Sequence, residues 1–347
     1  MANKHTHYDL KQMQSLPLHA KIIMTQQRIR QWYEYWDGMV YVNFSGGKDS
    51  TVLKHIIDQM YDDVPAVFVN TGLEYPEIQK FAMSQKNVVT VRPEMRFDEV
   101  IKKYGYPVVS KEVAQTVCEA KKNAQTGKYT YRIKKLNGEL IGKNGKPSTY
   151  NIPQWKFLLD APYDISHKCC DVMKKKPSKE YEKSTGRKPI IGMMASESRL
   201  RYQKWIQHGC NAFDTKEPKS QPMAFWTEQD VLHYIKEFNV PYASVYGDIV
   251  PTSGDEQIEG QLTTFDILGE YDGTLLKTTG CNRTGCIFCM FGCHLEKEPN
   301  RFQRLKETHP KQYKYCIGGG EMVDGKWQPS KEGLGLRKVL DYINVKY

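Results

Sequence analysis

Apolar residues fall along this chain in two alternating rhythms. Four short runs read as strands: Val40-Tyr41-Val42-Asn43-Phe44, Ala66-Val67-Phe68-Val69-Asn70 and Pro189-Ile190-Ile191-Gly192-Met193-Met194 as buried ones, and Val88-Val89-Thr90-Val91-Arg92 as a further strand. Between the first two, Val52, Leu53, Ile56, Ile57 and Met60 recur at helical spacing on one face, and a further helical stretch follows Pro76 to about Gln85. Residues 1–37 carry Ile22, Ile23, Met24, Ile29, Trp32, Tyr33 and Trp36 as the apolar face of a helical lead-in. Thr227 with Asp230 three residues on has the form of a capping box that opens another helix. Strands alternating with helices predict an α/β fold, a doubly wound, mostly parallel sheet whose ligand site lies at the carboxyl ends of its strands.

The first strand breaks into Ser45-Gly46-Gly47 and resumes as a helix near Ser50. A strand, a glycine turn and a helix start aim free backbone N–H groups and the positive helix end at an anion. Glycine lets the backbone approach phosphate oxygens, Ser45 and Ser50 add hydroxyls, and Lys48 adds a point charge. The spacing is not that of the common P-loop, because Gly47-Lys48 is followed by Asp49 and no glycine stands at the required upstream position.

Length, charge and cysteine usage sharpen this picture. The 347 residues suggest about two domains. There is no run of 18 apolar residues and no apolar signal core in Met1–Leu10, so the expectation is a cytoplasmic chain without membrane attachment. The net charge of +10 points to an anionic partner. Much of that charge lies beyond Lys111, where Lys121, Lys122, Lys128, Arg132, Lys134, Lys135, Lys143 and Lys146 are interleaved with Tyr129 and Tyr131. The pairs Asn137-Gly138 and Asn144-Gly145 predict a β-hairpin-like insertion there, spanning about 111–165. Basic charge beside stackable aromatics suits a single-stranded nucleic acid; a solvated lysine-rich loop has the same composition. The expected division is a lead-in at 1–37, a nucleotide-binding domain at 38–250 containing the insertion, and a cysteine-rich region at 251–347.

The odd count of nine cysteines favours metal or cluster chemistry over a disulfide framework. Cys169 and Cys170 are adjacent, a geometry poorly suited to a mutual disulfide. Cys281, Cys286, Cys289 and Cys293 are spaced C-x4-C-x2-C-x3-C, and four thiolates suit zinc and an iron–sulfur cluster equally on softness. A zinc ribbon built from the late four would leave the tandem pair unexplained.

Taken together, the string Ser45-Gly46-Gly47-Lys48-Asp49-Ser50 resembles the pyrophosphate loop of the PP-loop ATP pyrophosphatases and sulfonucleotide (PAPS) reductases. Asn70-Thr71-Gly72 and Pro76-Glu77 resemble that family's strand followed by Asp-Thr-Gly and Pro-Glu, with Asn70 in place of the acid. Glu197-Ser198, with Arg201 beyond, is similar to its segment over the nucleotide's anionic end. The string Trp226-Thr227…Asp230-Val231…Pro241-Tyr242…Tyr246 is similar to a further signature with a packing role. The Cys169-Cys170…Lys-x-x-Pro element resembles that of the iron–sulfur adenylylsulfate reductases. The resemblance covers Gly38 to Cys293.

It implies nucleotide contacts from Ser45, Gly46, Gly47, Lys48, Asp49, Ser50, Asn70, Thr71, Gly72, Ser198, Arg199 and Arg201, with Lys48, Asp49 and Arg199 as catalytic groups. It also implies a [4Fe–4S] cluster on Cys169, Cys170, Cys286 and Cys289, with zinc as the alternative and with Cys281 and Cys293 as further possible ligands or reactive thiols. The family's nucleophilic cysteine in a C-terminal Glu-Cys-Gly-x-His string has no counterpart in Gly333–Tyr347. The leading expectation is therefore an enzyme that binds ATP with Mg2+, releases pyrophosphate and adenylates an acceptor for sulfur transfer. By similarity to DNA phosphorothioation and tRNA thiolation enzymes, the acceptor would be DNA or tRNA, the sulfur donor a cysteine desulfurase or equivalent, and the state a homo-oligomer. The alternatives are a sulfonucleotide reductase releasing sulfite, with Cys316 or Cys293 supplying the thiol, and a non-catalytic nucleotide-sensing module.

Overall fold

Strand β1 (Val40–Phe44) lies inside a six-stranded sheet because its Val, Tyr, Val and Phe side chains are buried on both faces. The computed structural model describes residues 3–252 and 274–347; residues 253–273, part of the expected cysteine-rich region, lie outside the described residues. With β1 pair β2 (Ala66–Val69), β3 (Val88–Val91), β4 (Lys188–Ile191), β5 (Asn211–Ala212) and β6 (Lys219–Ser220), in the order β3-β2-β1-β4-β6-β5. Every pair is parallel except β5 with β6. Val42 faces Ala66 on one side and Ile190 on the other, so the strand order changes direction at β1. In a parallel sheet, that switch point is where a crevice opens beyond the strand ends.

The chain forms two compact units. The first comprises Met1–Asn70, Glu74–Arg92 and Pro177–Thr284, and holds this sheet. Its helices are α1 (His7–Gln14), α2 (Leu18–Tyr35), α3 (Lys48–Asp58), α4 (Pro76–Ser84), α5 (Lys176–Thr185), α6 (Arg199–His208) and α7 (Glu228–Glu237). α3 buries Val52, Leu53, Ile56 and Ile57 completely, the stripe its spacing predicts. On the other face of β1 from Val40 and Val42, Tyr41 meets Tyr181 of α5 edge-on and donates a hydrogen bond to Glu182 at 2.9 Å. α2 carries a buried lysine, Lys21, whose ammonium sits 2.8 Å from both carboxylate oxygens of Asp230 on α7. The same carboxylate accepts the Thr227 backbone N–H at 2.6 Å, completing the expected capping box.

The second unit comprises Thr71–Leu73, Pro93–Lys176 and Gly285–Tyr347. It is mainly helical, with a two-stranded parallel ladder joining Val108–Val109 to Met290–Phe291 and a hairpin pairing Glu321–Val323 with Lys326–Gln328. The hairpin-like reading of residues 111–165 needs correction. Residues Lys111–Gln125 and Tyr131–Asn137 are helices, because Val113, Ala114, Thr116, Val117 and Ala120 form a buried helical face. Only the Asn144-Gly145 turn closes a hairpin, through a single bridge between Ile141 and Pro147; Gly138 caps the second helix in the left-handed region instead.

The Lys21–Asp230 pair gives the first prediction. Removing one partner leaves a buried charge unpaired, so Asp230→Ala and Lys21→Ala should each cost about 3–5 kcal/mol, measured by urea unfolding.

Candidate nucleotide site and cysteine cluster

The corner after β1 is shaped by glycine at two points. Gly46 has φ +74°, and a side-chain carbon there would come within 3.0 Å of Ile78 and 3.3 Å of Ala82 on α4. Gly192, just past β4, passes so close that a side-chain carbon would meet the Asp49 carbonyl oxygen at 3.0 Å. Between these contacts the loop is knitted by its serines. Ser50 donates to the Gly47 carbonyl at 3.0 Å and accepts the Ser45 backbone N–H at 3.2 Å, while Ser45 Oγ accepts the Gly47 N–H at 3.3 Å. Ser50 is buried and its hydroxyl shapes the corner, whereas Ser45 is exposed.

A cavity of about 190 Å³ opens over this corner, at the switch point of the sheet. It is lined by Ser45, Gly47, Lys48, Asp49 and Ser50 from the loop, with Glu197, Glu228, Tyr246 and Asn282–Thr284 around it. That volume falls below the ~300–1,000 Å³ usual for whole small-molecule sites, which suits a phosphoryl tail better than an entire nucleotide. Its charges are already paired within the protein. Lys48, buried against the Tyr246 ring at 5.2 Å, reaches Glu228 at 3.0 Å. Glu228 is set in the first turn of α7 by the Thr227–Asp230 capping box. Glu197 accepts the Met194 N–H at 2.9 Å, pairs with Arg201, and stands 3.7 Å from Arg283. The Tyr246 hydroxyl lies 2.5 Å from Thr284 Oγ1, and burial pushes its phenol well above the usual range. Burial, with Glu197 and Glu228 nearby, raises the Asp49 carboxyl to about 6 against the pull of Lys48 and Arg283.

Of the sequence-predicted contacts, Ser45, Gly47, Lys48, Asp49 and Ser50 line the cavity, and Gly46 forms its turn. Ser198 caps α6 by accepting the Arg201 N–H at 3.3 Å; Arg201 is held by Glu197, and Arg199 is exposed on the first turn of α6 outside the lining. Asn70 is buried at the end of β2, where its N–H donates to the Val91 carbonyl at 2.9 Å. Thr71 and Gly72 belong to the second unit, and Thr71 Oγ1 accepts the Leu73 N–H at 3.1 Å. Sequence reasoning missed Glu197, Glu228, Tyr246 and Asn282–Thr284 as lining residues. Glu228 and Tyr246 sit in a segment that reads as packing, and Asn282–Thr284 read as the spacer of a cysteine motif. The available signal was Arg283, a cation in an otherwise thiol-bearing turn.

In the second unit, the cysteines of two distant segments come together. The thiol of Cys169 is raised first by its 3.8 Å contact with Cys170 and by burial, then by charge on Cys170, Cys289 and Cys286. Cys170 shifts down because Cys169 donates to it and because Lys174 and Lys111 are close. The ladder of Met290 with Val108 carries Cys286 and Cys289 alongside the start of the Lys111–Gln125 helix, and the tandem pair runs into a π-helical turn, Asp171–Lys175. Cys293 is buried, donates to the Met290 carbonyl at 3.0 Å and has its thiol pushed up to about 12 by burial. Cys281 belongs to the first unit, and no disulfide joins any of the nine. Among the described residues, no group of three His, Cys, Asp or Glu side chains is placed to hold a single metal ion. Cys286 and Cys289 lie near enough to act on the Cys169 thiol, and thiols with lysines beside them are the donor type an iron–sulfur cluster takes.

Fold and loop together define a PP-loop nucleotide-binding α/β protein. Residues 39–142 and 143–290 match the phosphoadenosine phosphosulfate reductase domain, and the chain belongs to that family of nucleotide-binding enzymes of sulfur chemistry. An uncharacterized protein of Methanocaldococcus jannaschii is 28% identical over 117 residues, a match that takes in 32% of this chain and 28% of the relative. Among solved structures, the phosphate complex of a phosphoadenylyl-sulfate reductase from Candida auris matches at 14% identity and a TM-score of 0.35, over 70% of this chain and 92% of that one. The U34-tRNA thiolase NcsA of Methanococcus maripaludis, with its [4Fe–4S] cluster, matches at 14% identity and a TM-score of 0.33, over 65% of this chain and 66% of that one. In the described residues no helix is long and apolar enough to cross a membrane.

Asp49 carries a pH prediction. A carboxyl whose folded value is about 6 keeps its proton where the unfolded chain, near 3.8, has lost it. Its contribution to stability is full below about pH 4 and disappears as pH rises through about 6. Urea midpoints of wild type and Asp49→Asn should therefore diverge in favour of the variant between pH 4 and 7.

Proposed function

We propose that this enzyme binds ATP with its phosphoryl tail in the β1–α3 corner, releases pyrophosphate and adenylates an acceptor oxygen ahead of sulfur transfer. The observation that carries the reading is the cavity itself: a phosphate-sized space at a helix N-terminus, floored by glycine backbone and flanked by Lys48 and Arg283. An acceptor oxygen forms a bond to the α-phosphorus as the bond to pyrophosphate breaks. The adenylate then leaves as AMP when a sulfur nucleophile attacks the activated carbon.

The site residues have distinct parts in that step. Loop amides and Lys48 offset the charge that grows on the departing pyrophosphate. Glu228 holds Lys48 at the corner, so the phosphates take over the ammonium from a carboxylate 3.0 Å away. Asp49, Glu197 and Glu228 around an anion site favour a nucleotide that arrives with Mg2+, an ion that commonly binds through one or two carboxylates plus phosphate oxygens. Cys169, Cys170, Cys286 and Cys289 would hold a [4Fe–4S] cluster, which when bound supplies an iron site to carry or polarise sulfur. Lys111 and Lys174 would balance its negative charge. A nucleic-acid acceptor, a separate sulfur donor and a homo-oligomeric state complete the proposal.

The reductase reading is less well supported. It needs an accessible thiolate, and Cys316 is fully buried with burial pushing its thiol far up, while Cys293 is buried and hydrogen-bonded to a carbonyl. Pyrophosphate release from ATP by anaerobically purified protein, with and without nucleic acid, is the decisive assay. Lys48→Ala should lower it by about 10²-fold or more. If pyrophosphate never appears and sulfite is released from a sulfonucleotide with a thiol donor, the reductase reading replaces this one.

The cluster assignment has its own outcome. Iron and acid-labile sulfide, measured on anaerobic protein, should be lost in Cys170→Ser and Cys289→Ser and retained in Cys281→Ser and Cys293→Ser. Zinc in place of iron would overturn it.

A further inference from the structure

Residues 121–150 concentrate charge as no other part of the chain does. They hold eight lysines and arginines against one acid, Glu139, in a protein whose net charge is +10. Among the described residues two of those cations are neutralised: Arg132 meets Glu119 at 2.9 Å, and the buried Lys135 pairs with Glu112. Among the described residues Lys122, Lys128, Lys134, Lys143 and Lys146 form no ion pair, and all five are exposed. The field of this segment is therefore unopposed from within.

Three tyrosines stand in the same segment, and none belongs to a core. Tyr129, Tyr131 and Tyr150 are 57%, 55% and 64% exposed, whereas Leu136 in the same segment is buried. Their placement converges on one short helix, Tyr131–Asn137. Tyr131 opens it. The Tyr129 ring lies 6.0 Å from Lys134 Nζ, and its hydroxyl accepts from Asn137 at 2.9 Å and donates to Glu139. The Tyr150 ring lies 5.9 Å from Lys135 Nζ. At 1.5 Å per residue the helix is roughly 10 Å long, so the rings are grouped within reach of a few successive nucleotides. Tethering at its hydroxyl fixes the Tyr129 ring in place while leaving most of its surface to solvent, which lowers the entropy lost when a base stacks on it.

We infer that the tyrosines and lysines around the Tyr131–Asn137 helix form a binding platform for single-stranded nucleic acid. The proposal deepens the function argued above by naming its acceptor's class, and it rests on that reading only for its link to catalysis. Unstacked bases offer faces to exposed tyrosines, and the phosphates of the strand offer charge to the free lysines. A duplex would use the lysines alone, because its bases are already stacked and closed.

The test is fluorescence-anisotropy binding of the full-length protein, without ATP, to labelled 20-nucleotide oligo-dT, oligo-U and a 20-base-pair duplex. Expected results are saturable binding of the single strands, tighter than the duplex. Each of Tyr129→Ala, Tyr131→Ala and Tyr150→Ala should weaken it by about 5- to 100-fold. Lys122→Ala, Lys128→Ala and Lys143→Ala combined should flatten the dependence of log affinity on log salt by about 2, at ~0.7 per phosphate contact. Tyr129→Phe keeps the ring but loses its tether, so it should weaken binding less than Tyr129→Ala does, and near-ultraviolet circular dichroism confirms that each variant is folded. Oligo-dT against oligo-U separates DNA from RNA within the proposal. The inference is overturned if no single strand binds at low salt, if the duplex binds as tightly, or if folded tyrosine variants bind like wild type. Because ATP is absent, loss of pyrophosphate release would leave this result standing, and failure here would leave the nucleotide site standing.

Discussion

The nucleotide unit depends on a close approach of backbone to backbone at the end of β1. With Gly46 in the left-handed region against α4 and Gly192 close to the Asp49 carbonyl, a Cβ on either side would meet its neighbours at 3.0 Å, tighter than ordinary contact. That tightness ends β1 and starts α3 within four residues, so the first amides of α3 face the cavity rather than a side chain. The serines then close the loop on itself, with Ser50 bonded to both Ser45 and Gly47. Any side chain at Gly46 would displace α4 or the loop, and in either case the anion cradle would lose its shape before any charge was removed.

Charge in the cavity is arranged by elements far apart in sequence. Lys21 on α2 anchors Asp230, Asp230 caps α7, the cap fixes Glu228, and Glu228 positions Lys48. Each link is short and most are buried, so the ammonium of Lys48 is held in one place at the cost of being occupied. Any anion that reaches this ammonium must compete with Glu228, 3.0 Å away.

How much of this was legible in the sequence follows from which interactions are local. The four strands, α3, the capping box at Thr227 and the glycine corner all rest on period, turn chemistry and nearest neighbours, and these were readable. The helices at Lys111–Gln125 and Tyr131–Asn137 were hidden because lysines crowd them and glycines stand between and beyond them, while two Asn-Gly pairs advertised hairpin turns. The short strands Asn211–Ala212 and Lys219–Ser220 have no periodicity to detect at two residues each. Glu228, Tyr246 and Arg283 reach the cavity only through tertiary folding, and Glu228 at a helix start is also what dipole chemistry alone would place there.

The cysteine motif shows the same limit from the other direction. On spacing, Cys281 is as good a member of the late group as Cys286, yet the chain passes from one unit to the other between them, at Thr284–Gly285. Cys281 is tied to the nucleotide unit by its N–H bond to Val245 at 2.9 Å, three residues from the Thr284 hydroxyl that meets Tyr246. The run from Cys281 to Cys289 is thus a junction, with the cavity-lining Asn282, Arg283 and Thr284 at its front and Cys286 and Cys289 at its rear. A short covalent span of this kind places the end of the nucleotide unit and the start of the sulfur-bearing unit on one continuous segment.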